Sequence, residues 1–277
     1  MTISATVGRV ADVVVAVLQF AAGADKSENL ATIRDLTEKA AGQGAQVVVA
    51  PEFAMFTAGK LDEQYIAAAE PLDGAHVTEL SALAARLGIH LVSGIAERLP
   101  DDPRISNTLI AAGPDGSLAA TYRKTHLYDA FGFVESKVVR PGPLGTPETF
   151  TVDGLVFGMQ TCYDLRFPEV TRRIVDAGAQ VLLLPAQWIP GPLKEFHWDT
   201  LVRARAIENT IYVATADQAP PRGAGNSMIV DPMGVTVAAL GERVGSALAA
   251  VSAQRLAEVR AINPALELRR FEVRARA

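Results

Sequence analysis

The stretch LVFGMQTCYDLRFPEV (155–170) contains the only cysteine of the chain, Cys162. Leu155 to Met159 is an apolar run that reads as a buried strand. Pro168 suits the first turn of a helix, and Val170, Ile174 and Ala177 recur at helical spacing until Gly178 ends it. Cys162 therefore stands at a strand-to-helix turn, where backbone N–H groups face open space. Such donors stabilise a thiolate and an oxyanion, so the position suits a nucleophile. On position alone a small packed hydrophobe fits equally well, because free cysteine is among the most buried residue types.

The 277 residues allow one large domain or two ordinary ones, and a hydrophobic content of 49% is ample for a core. A net charge of −5 argues against nucleic acid as a partner, since phosphate binding needs clustered Lys and Arg. A single cysteine excludes an internal disulfide framework and a cysteine-cluster metal site. The histidines, His76, His90, His126 and His197, show no metal-ligand spacing, so no metal is expected. A reducing, cytoplasmic compartment fits this usage best. Val13 to Phe20 followed by Ala21-Ala22-Gly23 resembles a signal peptide only superficially. The run is short, has Asp12 at its edge and Gln19 inside, and follows no Lys/Arg cluster, so it reads as a first buried strand. No segment approaches the ~18 apolar residues of a membrane span, and a soluble protein without a membrane partner is expected.

Strand-like and helix-like runs alternate around this stretch. Val13–Gln19 and Val47–Ala50 read as strands, with a helical stripe of Leu30, Ile33, Leu36 and Ala40 between them and Ser27 as its N-cap. Val77, Leu80, Ala84 and Leu87 mark a second helix closed by Gly88. Ile89–Ile95, Ser106–Ala112 and Leu118–Tyr122 follow as strands separated by Pro, Asp and Gly turns. Val181–Leu184 is again strand-like, Glu195–Asn209 helical, and Ile211–Ala216, Ser227–Val230, Val235–Leu240 and Ala247–Val251 are late strands. Strands this uniformly apolar must be covered on both faces. Helices on one face and a second sheet on the other give a layered α/β sandwich. With no linker and no repeat, one domain over 1–277 is expected, its core at about 13–251 and a C-terminal tail at about 252–277.

Glu52 and Lys124 also directly follow short strands. Groups at the carboxyl ends of neighbouring strands converge on one crevice in α/β sheets. Either residue alone reads equally as the first solvated residue of a loop; three chemically complementary groups together favour a site. At this point the chain resembles the nitrilase superfamily, the carbon–nitrogen hydrolases. The resemblance rests on Pro51-Glu52-Phe53, Tyr122-Arg123-Lys124-Thr125-His126-Leu127 and Cys162-Tyr163-Asp164-Leu165-Arg166-Phe167-Pro168-Glu169. Phe133-Val134-Glu135-Ser136, Arg203 to Asn209 and Ser227 to Gly234 extend it. Lys124 lies 72 residues after Glu52 and Cys162 a further 38, in the order and spacing of that family.

The resemblance implies a four-layer α-β-β-α sandwich with a Glu-Lys-Cys triad and a supporting glutamate. Carried over, Glu52 is the general base, Lys124 the oxyanion stabiliser, Cys162 the nucleophile and Glu135 the support. The residue types suit the chemistry. An amide is a poor electrophile, so the thiol must lose its proton to a carboxylate. Attack then puts negative charge on the carbonyl oxygen, which Lys124 and the backbone N–H of Tyr163 receive, at about 3–4 kcal/mol per donor. No metal or organic cofactor is needed. His126 is left no proton to move, and Arg166 and Glu169, flanking the new helix, read as architectural. Arg205 and Glu208 are spaced to pair. Tyr128, Trp188 and His197, in loops or at element ends, are expected to rim the pocket as substrate contacts.

Cys-Tyr-Asp-Leu-Arg-Phe-Pro-Glu resembles the Nit branch, which includes omega-amidase and deaminated glutathione amidase; true nitrilases carry Cys-Trp-Glu there. The implied reaction is hydrolysis of a small, carboxylate-bearing amide with release of ammonia. An N-carbamoyl amino acid amidohydrolase and a nitrile hydrolase are the alternatives within the superfamily. A catalytically silent binding protein on the same fold is the alternative outside it. The Nit branch has Gly-x-Ala-His-Trp where this chain has Lys194-Glu195-Phe196-His197-Trp198, and Trp188 and Ile189 add bulk before it. The family usually dimerises, so a homodimer or higher homo-oligomer is expected.

Overall fold

A computed structural model describes residues 12–276; residues 1–11 and Ala277 of the expected domain lie outside the described residues. The apolar strands alternate in which face they offer, and this alternation sets the layers. β1 (Val13–Gln19), β2 (Val47–Val49), β3 (His90–Arg98), β4 (Ile105–Ala112) and β5 (Leu118–Arg123) make most of one sheet. β6 (Thr149–Val152), β7 (Leu155–Met159), β8 (Val181–Ala186), β9 (Tyr212–Asp217), β10 (Met228–Val230) and β11 (Thr236–Ala239) make the second, in sequence order. β12 (Gly245–Val251) returns to the first sheet and pairs antiparallel with β1, Val13 opposite Val251 and Gln19 opposite Gly245. Each sheet has a parallel centre, β1-β2-β3 in one and β7-β8-β9 in the other, flanked by antiparallel strands.

Three apolar layers result. Val15, Val17, Val47 and Val49 point from the first sheet toward Phe157, Val181 and Leu183 of the second. Ala16, Leu18 and Val48, one residue out of phase, point the other way. They pack with Ile33 and Leu36 of α1 (Lys26–Gly42) and Leu80 and Leu83 of α3 (Ala75–Leu87). On the far side, Leu182 and Leu184 meet Ile174 of α4 (Pro168–Asp176) and Trp198, Val202 and Ala206 of α5 (Lys194–Asn209). Side-chain period two thus dictates a four-layer α-β-β-α sandwich, as expected.

Local differences have local causes. α1 is capped by Asp25, whose side chain accepts from the N–H groups of Ser27 and Glu28, two residues ahead of the expected Ser27 cap. The short α2 (Glu63–Ala68) carries too few turns for a periodic signal and was not expected. The tail is not featureless, because α6 (Ala253–Ile262) docks Leu256 and Val259 onto the sandwich, with Ser252 as its cap. α4 begins at Pro168 as read, but a 3-10 turn over Cys162–Arg166 precedes it. Among the described residues no helix is long and apolar enough to cross a membrane, and no cluster of His, Cys, Asp and Glu is arranged to hold a metal.

Candidate active site

The strand ends of both sheets meet at one cavity of about 290 Å³. Glu52 reaches it from the turn after β2. Gly94 of β3 permits that turn: a Cβ there would stand 2.6 Å from the Phe53 nitrogen and 2.7 Å from the Glu52 Cα. Lys124 follows β5, anchored by its N–H to the Asn107 carbonyl at 2.9 Å. Its Nζ donates to Glu52 Oε1 at 2.9 Å and lies 3.0 Å from Glu135 Oε2. Glu135 starts a 3-10 turn, and its Oε2 also accepts from the Tyr128 N–H at 2.5 Å. All three side chains are buried. Burial opposes a charge on Lys124, but the Glu135 and Glu52 carboxylates outweigh it and hold the ammonium pKa well above the ordinary lysine value.

Cys162 enters from the second sheet. It opens its 3-10 turn with φ at 44°, a left-handed conformation that costs a non-glycine residue energy and is concentrated at functional sites. As the first residues of a helical turn, Cys162 and Tyr163 have N–H groups without an intrahelical acceptor. The thiol lies 3.6 Å from the Gln187 carbonyl oxygen, and the Gln187 N–H donates to Glu52 Oε2 at 2.6 Å. The end of β8 thus ties the Glu52 carboxylate and the Cys162 thiol into one frame. Burial, then the Glu52 carboxylate, push the Cys162 thiol well above the usual cysteine range, against the pull of Lys124. The resting group is a neutral thiol beside a carboxylate. That arrangement transfers a proton as the sulfur attacks, instead of storing a thiolate.

Tyr163, Tyr128 and Trp188 line the cavity with these four. His197 does not. Its ring nitrogen sits 3.5 Å from the Arg166 guanidinium, outside the lining, because that face of α5 packs behind Arg166. Arg166, expected to be architectural, is in the cavity wall, with its guanidinium carbon 4.7 Å above the Trp188 ring. Glu169 lies in the first turn of α4 away from the cavity, and His126 is bound to Asp164 at 2.9 Å and stacked on Phe167. Arg205 pairs with Glu208 at 2.9 Å and also donates to the Leu165 carbonyl at 2.7 Å, steadying the turn that carries Cys162.

Sequence reading missed three groups around the site. Asn107 of β4 donates from Nδ2 to Glu52 Oε1 at 2.7 Å and to Glu135 Oε1 at 3.2 Å. Its signal is a polar run, Ser106-Asn107-Thr108, inside a wholly buried strand. Asp217, at the end of β9, accepts from the N–H groups of Trp188, Gln218 and Ala224 at 2.7, 2.9 and 3.1 Å. Its burial raises its pKa well above the usual carboxylate value in spite of these donors. Lys194, the first residue of α5, also lines the cavity.

The carbon–nitrogen hydrolase family model matches residues 14–261. The chain belongs to the carbon–nitrogen hydrolase family. Deaminated glutathione amidase of Escherichia coli O157:H7 is 36% identical over 257 residues, covering 93% of this chain and 97% of that one. Omega-amidase NIT2 of Danio rerio is 35% identical over 273 residues, covering 93% and 95%. Among solved structures, Saccharomyces cerevisiae Nit3 of the nitrilase superfamily superposes with a TM-score of 0.84 at 29% identity, covering 94% of this chain and 97% of that chain. This carbon–nitrogen hydrolase is therefore a C–N hydrolase of the nitrilase superfamily, similar to the amidases of the Nit branch.

Proposed function

We propose that this carbon–nitrogen hydrolase cleaves small carboxylate-bearing amides by thioester catalysis, with Cys162 as nucleophile and Glu52 as base. Glu52 takes the thiol proton as sulfur attacks the amide carbonyl carbon. The carbonyl oxygen becomes an oxyanion between the Lys124 ammonium and the Tyr163 N–H. Each such donor is worth about 3–4 kcal/mol in the transition state. Glu52 passes its proton to the departing nitrogen, the C–N bond breaks, and ammonia leaves a thioester on Cys162. Glu52 then deprotonates water, which attacks the thioester and frees the acid and the thiol. Glu135 holds Lys124 against the oxyanion position. The observation that supports these roles is the buried Glu52–Lys124–Glu135 cluster sharing one cavity with the Cys162 thiol.

The acid on the substrate is proposed from the names of the two amidase relatives. Cytoplasmic residence and a homodimer are further parts of the proposal, drawn from the single reduced cysteine and from family habit. The test is ammonia release from a panel of amides, N-carbamoyl amino acids and nitriles, run beside Cys162→Ala. At least one amide is expected to be hydrolysed, and Cys162→Ala is expected to release no ammonia from it. Folded wild-type protein that turns over none of the panel would instead support a silent binding role.

A further inference from the structure

Five buried or half-buried ionic side chains line the cavity: Glu52, Glu135, Lys124, Arg166 and Lys194. The two carboxylates are taken by Lys124. Arg166 and Lys194 form no salt bridge among the described residues; their polar partners are the His197 ring and the Tyr128 hydroxyl, the latter 2.7 Å from Nζ. The two cations flank the Phe131 ring, at 5.5 Å for the guanidinium carbon and 5.2 Å for the ammonium. These five carry one positive charge in excess, left on Arg166 and Lys194, and the exposed Lys60 of the lining adds another.

Lys194 is in an unfavourable place for a cation. It is only 6% exposed and is the first residue of a 16-residue helix, where the helix dipole disfavours positive charge. It has Arg166 for a neighbour, and it follows Leu193 at a left-handed φ of 59°. Burial accordingly pushes its amine below the ordinary lysine range. Trp188 fixes it there by donating from Nε1 to the Lys194 carbonyl at 2.7 Å. Arg166 shows the same deficit, because its Nε is buried without a hydrogen-bond partner among the described residues. A single anionic group between Arg166 and Lys194 offsets the excess positive charge of the buried and half-buried lining.

We infer that Lys194 is a specificity-determining residue that, together with Arg166, binds the remote carboxylate of the amide substrate. This rests on the proposed amide hydrolysis. One carboxylate oxygen meets the ammonium as a point charge while the guanidinium offers its Nε fork.

The test compares succinamic acid with butyramide, an uncharged amide of the same length, in wild type, Lys194→Met and Lys194→Arg. The ratio of kcat/KM for succinamic acid to that for butyramide is expected to fall about 10- to 100-fold in Lys194→Met, the weight of a lost charge-assisted hydrogen bond. The loss is expected in KM, with partial recovery in Lys194→Arg. Calorimetry with succinate, which needs no turnover, is expected to show tenfold or greater weakening in Lys194→Met. An equal loss on both amides, or succinate binding alike to wild type and Lys194→Met, would overturn the inference. Wild type that hydrolyses nothing in the wider panel, yet binds succinate through Lys194, would overturn the amide hydrolysis while supporting Lys194 as the carboxylate ligand.

Discussion

Replacing Asn107 with leucine removes the only neutral donor, among the described residues, shared by the Glu52 and Glu135 carboxylates. Glu52 Oε1 has two partners, the Asn107 Nδ2 at 2.7 Å and the Lys124 Nζ at 2.9 Å. Losing the first leaves a buried charge with half of its support, at about 2 kcal/mol for a hydrogen bond to an ionised group. The longer contact to Glu135 Oε1, 3.2 Å, adds about 1 kcal/mol. Against this, the Asn107 Oδ1 is itself buried with no partner among the described residues, and leucine relieves that cost of about 1 kcal/mol. The net is about 2 kcal/mol, a melting temperature lower by about 4–8 °C in a domain of this size. If the donor also aims Glu52 at the thiol, a similar sum is lost from the transition state, and kcat/KM falls about 30-fold. Ammonia release and thermal unfolding of Asn107→Leu measure both quantities. A variant that melts with wild type and retains kcat/KM within about threefold would refute the claim that Asn107 holds the base.

Two other substitutions probe the frame of the site. Gly94→Ala would drive a methyl group to within 2.6–2.8 Å of the Pro51–Phe53 backbone and displace Glu52; kcat/KM is expected to drop about 100-fold, as for a misplacement near 1 Å, measured by the same assay. Asp217 has a raised pKa when folded, so its contribution is fully present below the unfolded carboxylate value, near 4, and is lost as pH rises through the folded value. Asp217→Asn lacks this titration and turns an amide donor toward a backbone N–H. Its loss of melting temperature relative to wild type is expected to be largest in acid and to shrink as pH rises; a penalty that grows with pH would contradict the assignment.

The sandwich could be read from the chain because its strands are apolar on both faces and are punctuated by Gly, Pro and Asp. Glu52, Lys124 and Cys162 were visible because each stands within three residues of the end of such a strand. Asn107 was hidden for the opposite reason. It sits inside a strand, and which polar side chain of a buried strand meets a carboxylate is decided by a partner 55 residues away. Lys194 and His197 share one helix, and their roles depend on its rotation. The left-handed Leu193 and the Trp188–Lys194 hydrogen bond set that rotation, turning Lys194 inward and leaving His197 behind Arg166. Arg166 illustrates the same limit, since a residue beside a helix start can face either the scaffold or the pocket.

The two sheets divide the proposed reacting groups between them: Glu52 and Lys124 stand at strand ends of one, Cys162 at a strand end of the other. The first of these sheets is completed by β12, synthesised more than two hundred residues after its neighbour β1. A nascent chain therefore has to wait for nearly its full length before the base and the thiol can be locked face to face. Contacts so distant in sequence close slowly, and during that interval the cysteine has neither the Glu52 carboxylate nor the Lys124 ammonium beside it. Turnover of an amide thus reports on the docking of the two halves, and the appearance of activity during refolding can be used to time that event.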